Sequence, residues 1–196
     1  MKSSSLFVSL AVFALAAGLP AARPGPARAQ APAPSPAPSP SPEADPRARF
    51  TGVFHYAGGP QERAALDAAI ERAVSEFIFL IRPIVRSKLR DANTIAKQVT
   101  FQWAPGSMRV LFTDPPRDYR APDDGTPVHD PASHDPSTRI SHRFENGLFI
   151  ESFTADDGAQ RNLFTLTPDG QGLTMAATVS SPKLKLPVQY SLTYHK

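Results

Sequence analysis

From residue 98 to residue 195, apolar and polar residues alternate with period two, and turn residues interrupt the alternation at short intervals. Val99, Phe101 and Trp103, for example, share one face of a predicted strand. Asn146-Gly147 predicts a two-residue hairpin turn, because both central positions of that turn need a positive φ. The pattern predicts at least eight consecutive, hairpin-linked strands, which favours antiparallel pairing.

Between residues 61 and 97 the period changes to that of an amphipathic helix. The apolar positions recur at spacings of four and three residues, at Leu66, Ile70, Val74, Phe77 and Ile81. Pro83 suits the first turn of a helix and not its interior, so a second helix is predicted over residues 83–97. Residues 77–81 are apolar on all sides, which predicts that the end of the first helix is buried.

Residues 48–56 alternate as a first strand before the helix pair. Residues 114–138 hold six prolines and predict a long loop, with a short strand at 118–121 or 126–130. The predicted fold class is therefore α+β: an antiparallel β-meander or barrel of eight to ten strands with a two-helix insertion after strand 1.

This element order resembles the intracellular fatty-acid-binding proteins and, more broadly, the calycin group that contains the lipocalins. In the fatty-acid-binding family the helix pair covers a barrel, and an Arg-x-Tyr on the final strand helps to hold a ligand carboxylate. Here the final strand reads Gln189-Tyr190-Ser191-Leu192-Thr193-Tyr194, without an arginine, so this clamp is not carried over. The lipocalin Gly-x-Trp is also missing, since the first strand reads Thr51-Gly52-Val53-Phe54. The resemblance implies a lipocalin-like barrel rather than a particular function.

The start of the chain has the composition of a secretory leader. Lys2 precedes an apolar run from Leu6 to Leu19, and Ala27-Arg28-Ala29 provides an A-x-A cleavage site. We predict a signal peptide over 1–29 and export to the periplasm or the extracellular space; an uncleaved membrane anchor is the alternative. Residues 30–46, rich in Ala, Pro and Ser, predict a disordered linker, with a Pro-rich recognition ligand as the alternative. Residues 47–196 then form a single domain.

Charge and cysteine content exclude several classes of function. The chain has 21 Lys and Arg against 18 Asp and Glu, and three of the basic residues (Lys2, Arg23 and Arg28) lie in the leader. The remainder is balanced, so an overall basic charge gives no support to a nucleic-acid partner. The chain has no cysteine, which excludes disulfides, thiolate metal ligands and a cysteine nucleophile.

An apolar sheet face beneath two helices favours a non-catalytic binding or carrier module for a lipid or another small amphipathic molecule. The candidate ligand-binding residues are Arg82, Arg86, Phe77, Tyr56, Trp103 and Tyr190. Arg82, Arg86 and Arg90 recur every four residues, which indicates either a solvated helix face or a peripheral contact with anionic lipid headgroups. The alternative function is an envelope-associated interaction protein with a filled core and no ligand.

Catalytic and metal-binding patterns are weak. A second alternative, a hydrolase of unknown type, would draw on histidines and serines of the predicted strands: His55, His142, His195, Ser152, Ser180 and Ser191. No nucleophile elbow or phosphate loop singles any of them out, so a non-enzyme without a cofactor is favoured. His129-Asp130-Pro131 and His134-Asp135-Pro136 are candidates for a metal site, although Asp-Pro pairs also begin turns.

Overall fold

The computed structural model of the protein describes residues 45–196, so the predicted signal peptide and nearly all of the predicted linker lie outside the described residues. The described part begins with a short helix, α1 (Pro46–Phe50), followed by strand β1 (Gly52–Tyr56). Strand 1 was predicted to begin at residue 48, and that start is wrong. The Asp45 side chain accepts a hydrogen bond from the Arg47 N–H (3.0 Å) and caps α1. The predicted domain boundary at Arg47 thus falls inside α1.

The helix pair follows β1, as predicted, but both helices are shorter than the pattern indicated. Helix α2 spans Pro60–Ser75 and helix α3 spans Arg82–Ala92. The predicted burial of residues 77–81 is wrong, because α2 ends at Ser75 and the next residues form a turn. Phe77 and Ile81 continue the helical spacing in the sequence, but they lie outside both helices. Ile78, Phe79 and Leu80 point into solvent, with exposed fractions of 67%, 73% and 69%.

Nine further strands complete the described chain. They are β2 (Gln98–Ala104), β3 (Ser107–Thr113), β4 (Arg117–Pro122), β5 (Val128–His129), β6 (Arg139–Glu145), β7 (Leu148–Ala155), β8 (Gly158–Leu166), β9 (Gly172–Ser180) and β10 (Val188–His195). The predicted long loop therefore contains β4, which covers the predicted strand at 118–121, and β5, which lies within the alternative at 126–130. Asn146 and Gly147 have φ values of 52° and 78°, so the hairpin turn predicted between β6 and β7 is confirmed.

The ten strands form one antiparallel sheet in the order β4-β3-β2-β1-β10-β9-β8-β7-β6-β5. The sheet curves so that β4 approaches β6, where Asp124 bridges to Arg143 and the Gly125 N–H donates to the His142 carbonyl (2.8 Å). The result is a nearly closed barrel with a helix pair after strand 1. This confirms the predicted fold class, an antiparallel barrel of eight to ten strands with a two-helix insertion after strand 1.

Aromatic side chains fill much of the barrel interior. The Phe101 ring meets the rings of Phe54, Phe149 and Phe164 edge-on, with centroids 5.1–5.9 Å apart. Phe50 of α1 closes one end of the barrel and is 2% exposed. Burial of so many rings without a large gap stabilises the fold through apolar transfer and dense packing.

The helix pair covers the other end of the barrel through a second apolar cluster. Leu66, Ile70 and Val74 of α2 pack with Val188 of β10, and all four side chains are buried. Helix α3 lies farther out, since none of its residues is buried. Within residues 45–196, no helix is both long enough and apolar enough to cross a membrane.

Candidate functional site

An apolar groove with a volume of about 570 Å³ lies between α3 and the rim of the barrel. Its outer wall is the inward face of α3, where Val85 and Leu89 are half-buried. Its inner wall is the β7–β8 turn together with the end of β9 and the segment after it. The other apolar residues that line the groove are Phe77, Ile81, Ile84, Ala92, Phe153, Ala155, Ala159, Val179 and Leu184. The volume is within the range of small-molecule sites, roughly 300–1,000 Å³.

Few charged residues line this groove. Lys88 of α3 and Lys183 of the segment after β9 face it, and Asp157 of the β7–β8 turn is its acid. Neither lysine forms an ion pair with any residue in the described part of the chain. An apolar groove lined by two lysines and one aspartate has a net positive charge, and it attracts a molecule with an apolar body and an anionic end.

A second, much smaller cavity of about 60 Å³ lies inside the barrel, below the helix pair. Tyr119, Tyr190 and Tyr194 line it, and burial raises the pKa of both Tyr119 and Tyr190 to about 12. Arg117, whose positive charge opposes this rise, also lines the cavity. The Tyr194 hydroxyl is buried and has no hydrogen-bond partner among the described residues. The cavity has room for a few water molecules and not for a lipid chain.

Phe153 and Gln160 separate the groove from the internal cavity, because both residues line both spaces. Gln160 also begins a polar chain that leads into the core. Its Nε2 donates to Asn162 Oδ1 (3.1 Å), and Asn162 Nδ2 donates to Glu151 Oε2 (2.9 Å). Glu151 Oε1 then lies 3.3 Å from His142 Nε2. The wall of the groove is thus connected through hydrogen bonds to the buried side chains of Asn162 and Glu151.

The predicted ligand residues fall into separate places. Phe77 lines the groove and Tyr190 lines the internal cavity. Tyr56 is half-buried against Tyr194, with ring centroids 5.7 Å apart. Trp103 lies at the opposite, α1 end of the barrel, where its indole N–H donates to Asp123 (3.2 Å). The structure therefore does not bring these four aromatic residues together, and their contact with a ligand stays a prediction.

The predicted basic residues of α3 all have partners within the helix pair. Arg86 forms two hydrogen bonds with the Glu71 carboxylate (2.6 and 2.7 Å), which hold the pKa of Glu71 below its usual range. Arg90 pairs with Asp67 (3.2 Å). Arg82 donates to two backbone carbonyls, Phe77 O (2.9 Å) and Ser75 O (2.8 Å). A ligand headgroup at Arg82 or Arg86 would have to compete with these bonds.

The weak metal candidates lie apart in the structure, with His129 at the end of β5 and His134 in the loop that follows. His129 Nδ1 is 3.1 Å from the Thr138 carbonyl, while His134 is exposed. The carboxylates of Asp130 and Asp135 each accept a hydrogen bond from the N–H two residues later, which is the geometry of an Asx turn. Among residues 45–196, no three His, Asp or Glu side chains are grouped closely enough to hold a metal ion.

The histidines considered for a hydrolase are also dispersed. His55 and His195 are register partners on β1 and β10, and both are exposed. His142 is completely buried inside the barrel. In the described residues no histidine ring is hydrogen-bonded to a serine hydroxyl.

Several residues of the site were not singled out from the sequence. Phe153, Gln160 and Lys183 belong to the groove, and Glu151 belongs to the internal chain. A signal existed for Glu151, since period two places it on the same face as Phe149 and Phe153, inside the barrel. The other residues carry no comparable signal, because they line one groove only when α3 lies across the barrel rim.

Comparison with solved structures gives three similar barrels. A variant of the fluorescent protein UnaG is 10% identical, with 76% of this chain and 96% of that chain covered and a TM-score of 0.49. Lipid binding protein 8 of Caenorhabditis elegans is 13% identical, with 76% and 96% covered and a TM-score of 0.47. Fatty-acid-binding protein 1 of Echinococcus granulosus is 15% identical, with 76% and 98% covered and a TM-score of 0.46.

All three TM-scores are below 0.5, so neither a ligand nor an activity follows from them. No protein-family model matches the sequence, and no curated protein matches it. The fold assignment therefore depends on the strand order of the chain itself.

Proposed function

We propose that this protein is an exported, non-catalytic binding module for a small amphipathic anion, which it holds in the groove between α3 and the barrel rim. The observation that carries the proposal is the groove itself, an apolar space of about 570 Å³ with Lys88 and Lys183 beside it. The apolar part of the ligand would lie against Val85, Leu89 and Phe153, where its burial removes apolar surface from water. Its acidic group would remain near the two ammonium groups.

The groove is a more suitable place for such a ligand than the barrel interior. The internal cavity of about 60 Å³ is an order of magnitude smaller than the pockets that hold drug-sized molecules. Entry of a lipid chain into the barrel would require Phe153 and Gln160 to move, and Gln160 is hydrogen-bonded to Asn162. The proposed site therefore lies outside the barrel interior, and α3 forms its outer wall.

The test is the binding of oleate and of oleyl alcohol, measured by isothermal titration calorimetry. Ala92→Trp places a large ring in the groove from an exposed position of α3, and we expect it to lower the affinity for oleate by about tenfold or more. Ala65→Trp makes the same change on the exposed face of α2, outside the groove, and serves as the matched control. Equal affinities of these two variants would contradict the proposed site.

The charge requirement is tested separately. The wild-type protein should prefer oleate over the alcohol, and the Lys88→Ala/Lys183→Ala double variant should lose most of that preference. Lys97→Ala is the control, because Lys97 is paired with Asp114 and does not line the groove. Arg86→Ala tests the arginine predicted from the sequence in the same assay.

The packed interior of the barrel favours a second candidate function, an interaction protein that holds no ligand. Its core is filled by phenylalanine rings and leaves only the small internal cavity. If neither oleate nor oleyl alcohol binds the wild-type protein, this second function is the better one.

A further inference from the structure

Exposed apolar side chains are concentrated at the turn between α2 and α3. Of the seven large apolar residues that are exposed among residues 45–196, five lie between Ile78 and Ile84. Ile78, Phe79 and Leu80, which we call the apolar tip, are the most exposed of the seven. Three consecutive bulky side chains in water indicate a surface with a partner, because single exposed apolar residues are ordinary and a contiguous group is not.

The turn that carries the apolar tip is held in place by its own hydrogen bonds. Arg82 folds back and donates to the carbonyls of Ser75 (2.8 Å) and Phe77 (2.9 Å). The Phe77 N–H donates to Val74 O (3.0 Å), and the Ile81 N–H donates to Ile78 O (3.2 Å). These bonds hold the two ends of the turn and satisfy the carbonyls of Ser75, Phe77 and Ile78. The turn therefore presents its three exposed apolar side chains from a defined position.

Basic residues outnumber acidic ones on the segments next to the apolar tip. Arg72 lies in the last turn of α2, and Arg82 begins α3. Lys183 lines the groove together with Phe77 and Ile81, and so does Asp157. Lys185 is 3.7 Å from Glu76, the acid nearest the tip in sequence. These four cations exceed the two carboxylates, and such a surplus of positive charge complements the headgroups of anionic lipids.

We infer that the apolar tip inserts into the interface of a lipid bilayer that contains anionic lipid. The inference goes beyond the proposed groove ligand, because Ile78, Phe79 and Leu80 do not line the groove. It also changes the peripheral contact predicted from Arg82, Arg86 and Arg90. The apolar side chains enter the bilayer, Arg82 stays bonded to the carbonyls of Ser75 and Phe77, and Arg86 and Arg90 stay paired with acids of α2.

A bilayer fits the apolar tip better than a second copy of the chain or another protein. Three protruding side chains bury roughly 400–500 Å² when fully covered. A stable protein interface needs about 800 Å² from each partner, with shape-complementary surroundings. A lipid interface needs neither, and each side chain that enters it contributes about a tenfold increase in partitioning.

The test is flotation of the full chain with vesicles of phosphatidylcholine alone and of equal parts phosphatidylcholine and phosphatidylglycerol. We expect the wild-type protein to float with the mixed vesicles and less with the neutral ones. The triple variant Ile78→Ser/Phe79→Ser/Leu80→Ser should have a partition coefficient into the mixed vesicles that is lower by about a hundredfold or more. The matched control is Val53→Ser on β1, an apolar residue with 40% exposure away from the tip, which should float like the wild type.

Arg82→Lys tests the hydrogen bonds that hold the turn. Lysine keeps the positive charge, but its side chain cannot donate to the carbonyls of both Ser75 and Phe77 as the guanidinium does. We expect flotation several-fold weaker than that of the wild type, with the circular dichroism spectrum unchanged. The triple serine variant should still bind oleate, so loss of the lipid surface and loss of the groove ligand are separate results.

Three outcomes would overturn the inference. The first is a wild-type protein that floats with neither vesicle, and the second is a triple variant that floats as well as the wild type. The third is a lipid-free wild-type dimer in analytical ultracentrifugation that becomes a monomer in the triple variant, because the tip would then be covered by a second copy.

Discussion

His142 Nε2 and Glu151 Oε1 face each other across 3.3 Å inside the barrel, and both side chains are completely excluded from solvent. The separation is that of an ion pair, but the angles do not make a hydrogen bond, so neither atom has a hydrogen-bond partner. The other atoms of the pair are anchored: His142 Nδ1 lies 3.1 Å from the Met108 carbonyl, and Glu151 Oε2 accepts from Asn162. Because a carbonyl only accepts, Nδ1 must carry a hydrogen.

This geometry predicts unequal effects of two substitutions at position 151. Glu151→Ala should lower the free energy of unfolding by about 3–5 kcal/mol, because it removes the buried carboxylate to which Asn162 Nδ2 donates and which lies beside His142 Nε2. Glu151→Gln keeps the volume and the acceptor for Asn162, and should cost only about 1 kcal/mol. Urea denaturation measures both values. The control is Glu145→Gln, since Glu145 forms an exposed pair with Arg143 and should change stability by at most about 1 kcal/mol. Similar losses of stability for the alanine and glutamine variants would contradict the importance of the side-chain volume at position 151 and of the acceptor for Asn162.

The tyrosines predict a defined response to alkaline pH. Burial raises the pKa of Tyr119 and Tyr190 to about 12, and it also raises the pKa of Tyr56 and Tyr194. In the unfolded chain these phenols ionise near their ordinary pKa of about 10. The folded state therefore keeps protons that the unfolded state has lost, and this stabilisation is complete below pH 10 and disappears as the pH rises towards 12.

Ultraviolet difference spectroscopy measures this ionisation directly. We expect no tyrosine of the folded protein to titrate at its ordinary pKa, and we expect ionisation to coincide with alkaline unfolding followed by circular dichroism. Ionisation of Tyr119 or Tyr190 near pH 10 in the folded state would contradict their placement around the internal cavity.

Helix α1 should stabilise the barrel that it closes. Phe50 packs against the rings of Phe101, Phe144 and Phe149, with centroids 5.5–6.1 Å apart. We expect Phe50→Ala to cost about 3–5 kcal/mol, because a buried ring leaves a cavity. A chain that begins at Gly52 should be destabilised similarly, whereas one that begins at Asp45 keeps α1 and its cap. Ala48→Ser, an exposed change in the same helix, is the control in thermal unfolding. A chain from Gly52 as stable as the one from Asp45 would show that α1 does not contribute.

Export is a prediction from the first residues of the sequence alone. Lys2, the apolar run 6–19 and Ala27-Arg28-Ala29 predict cleavage after residue 29. N-terminal sequencing of the protein recovered from the periplasm or the medium should begin at Gln30 or within a few residues of it. A retained Met1 on that material would favour the uncleaved anchor instead.

Local pattern was sufficient for most of the architecture. Period two placed Val99 and Phe101 on one face of a predicted strand, and the structure confirms that both are buried. The Asn146-Gly147 turn was predictable for a similar reason, because the requirement for a positive φ lies in the turn residues themselves. Strand alternation and turn chemistry depend on neighbours in sequence, so a single sequence contains them.

The site depended on contacts between distant segments. Residues 77–81 continue the helical spacing in the sequence. In the structure they form a turn, which Arg82 holds by donating to the carbonyls of Ser75 and Phe77. The basic spacing of Arg86 and Arg90 indicated a charged face, but pairing with Glu71 and Asp67 of α2 decides where those charges go. In the same way, Lys88 lines one groove with Lys183 and Phe153 only because α3 crosses the barrel rim. A period in sequence fixes which face a side chain takes, whereas its partner across the molecule is fixed by how the helices pack on the sheet.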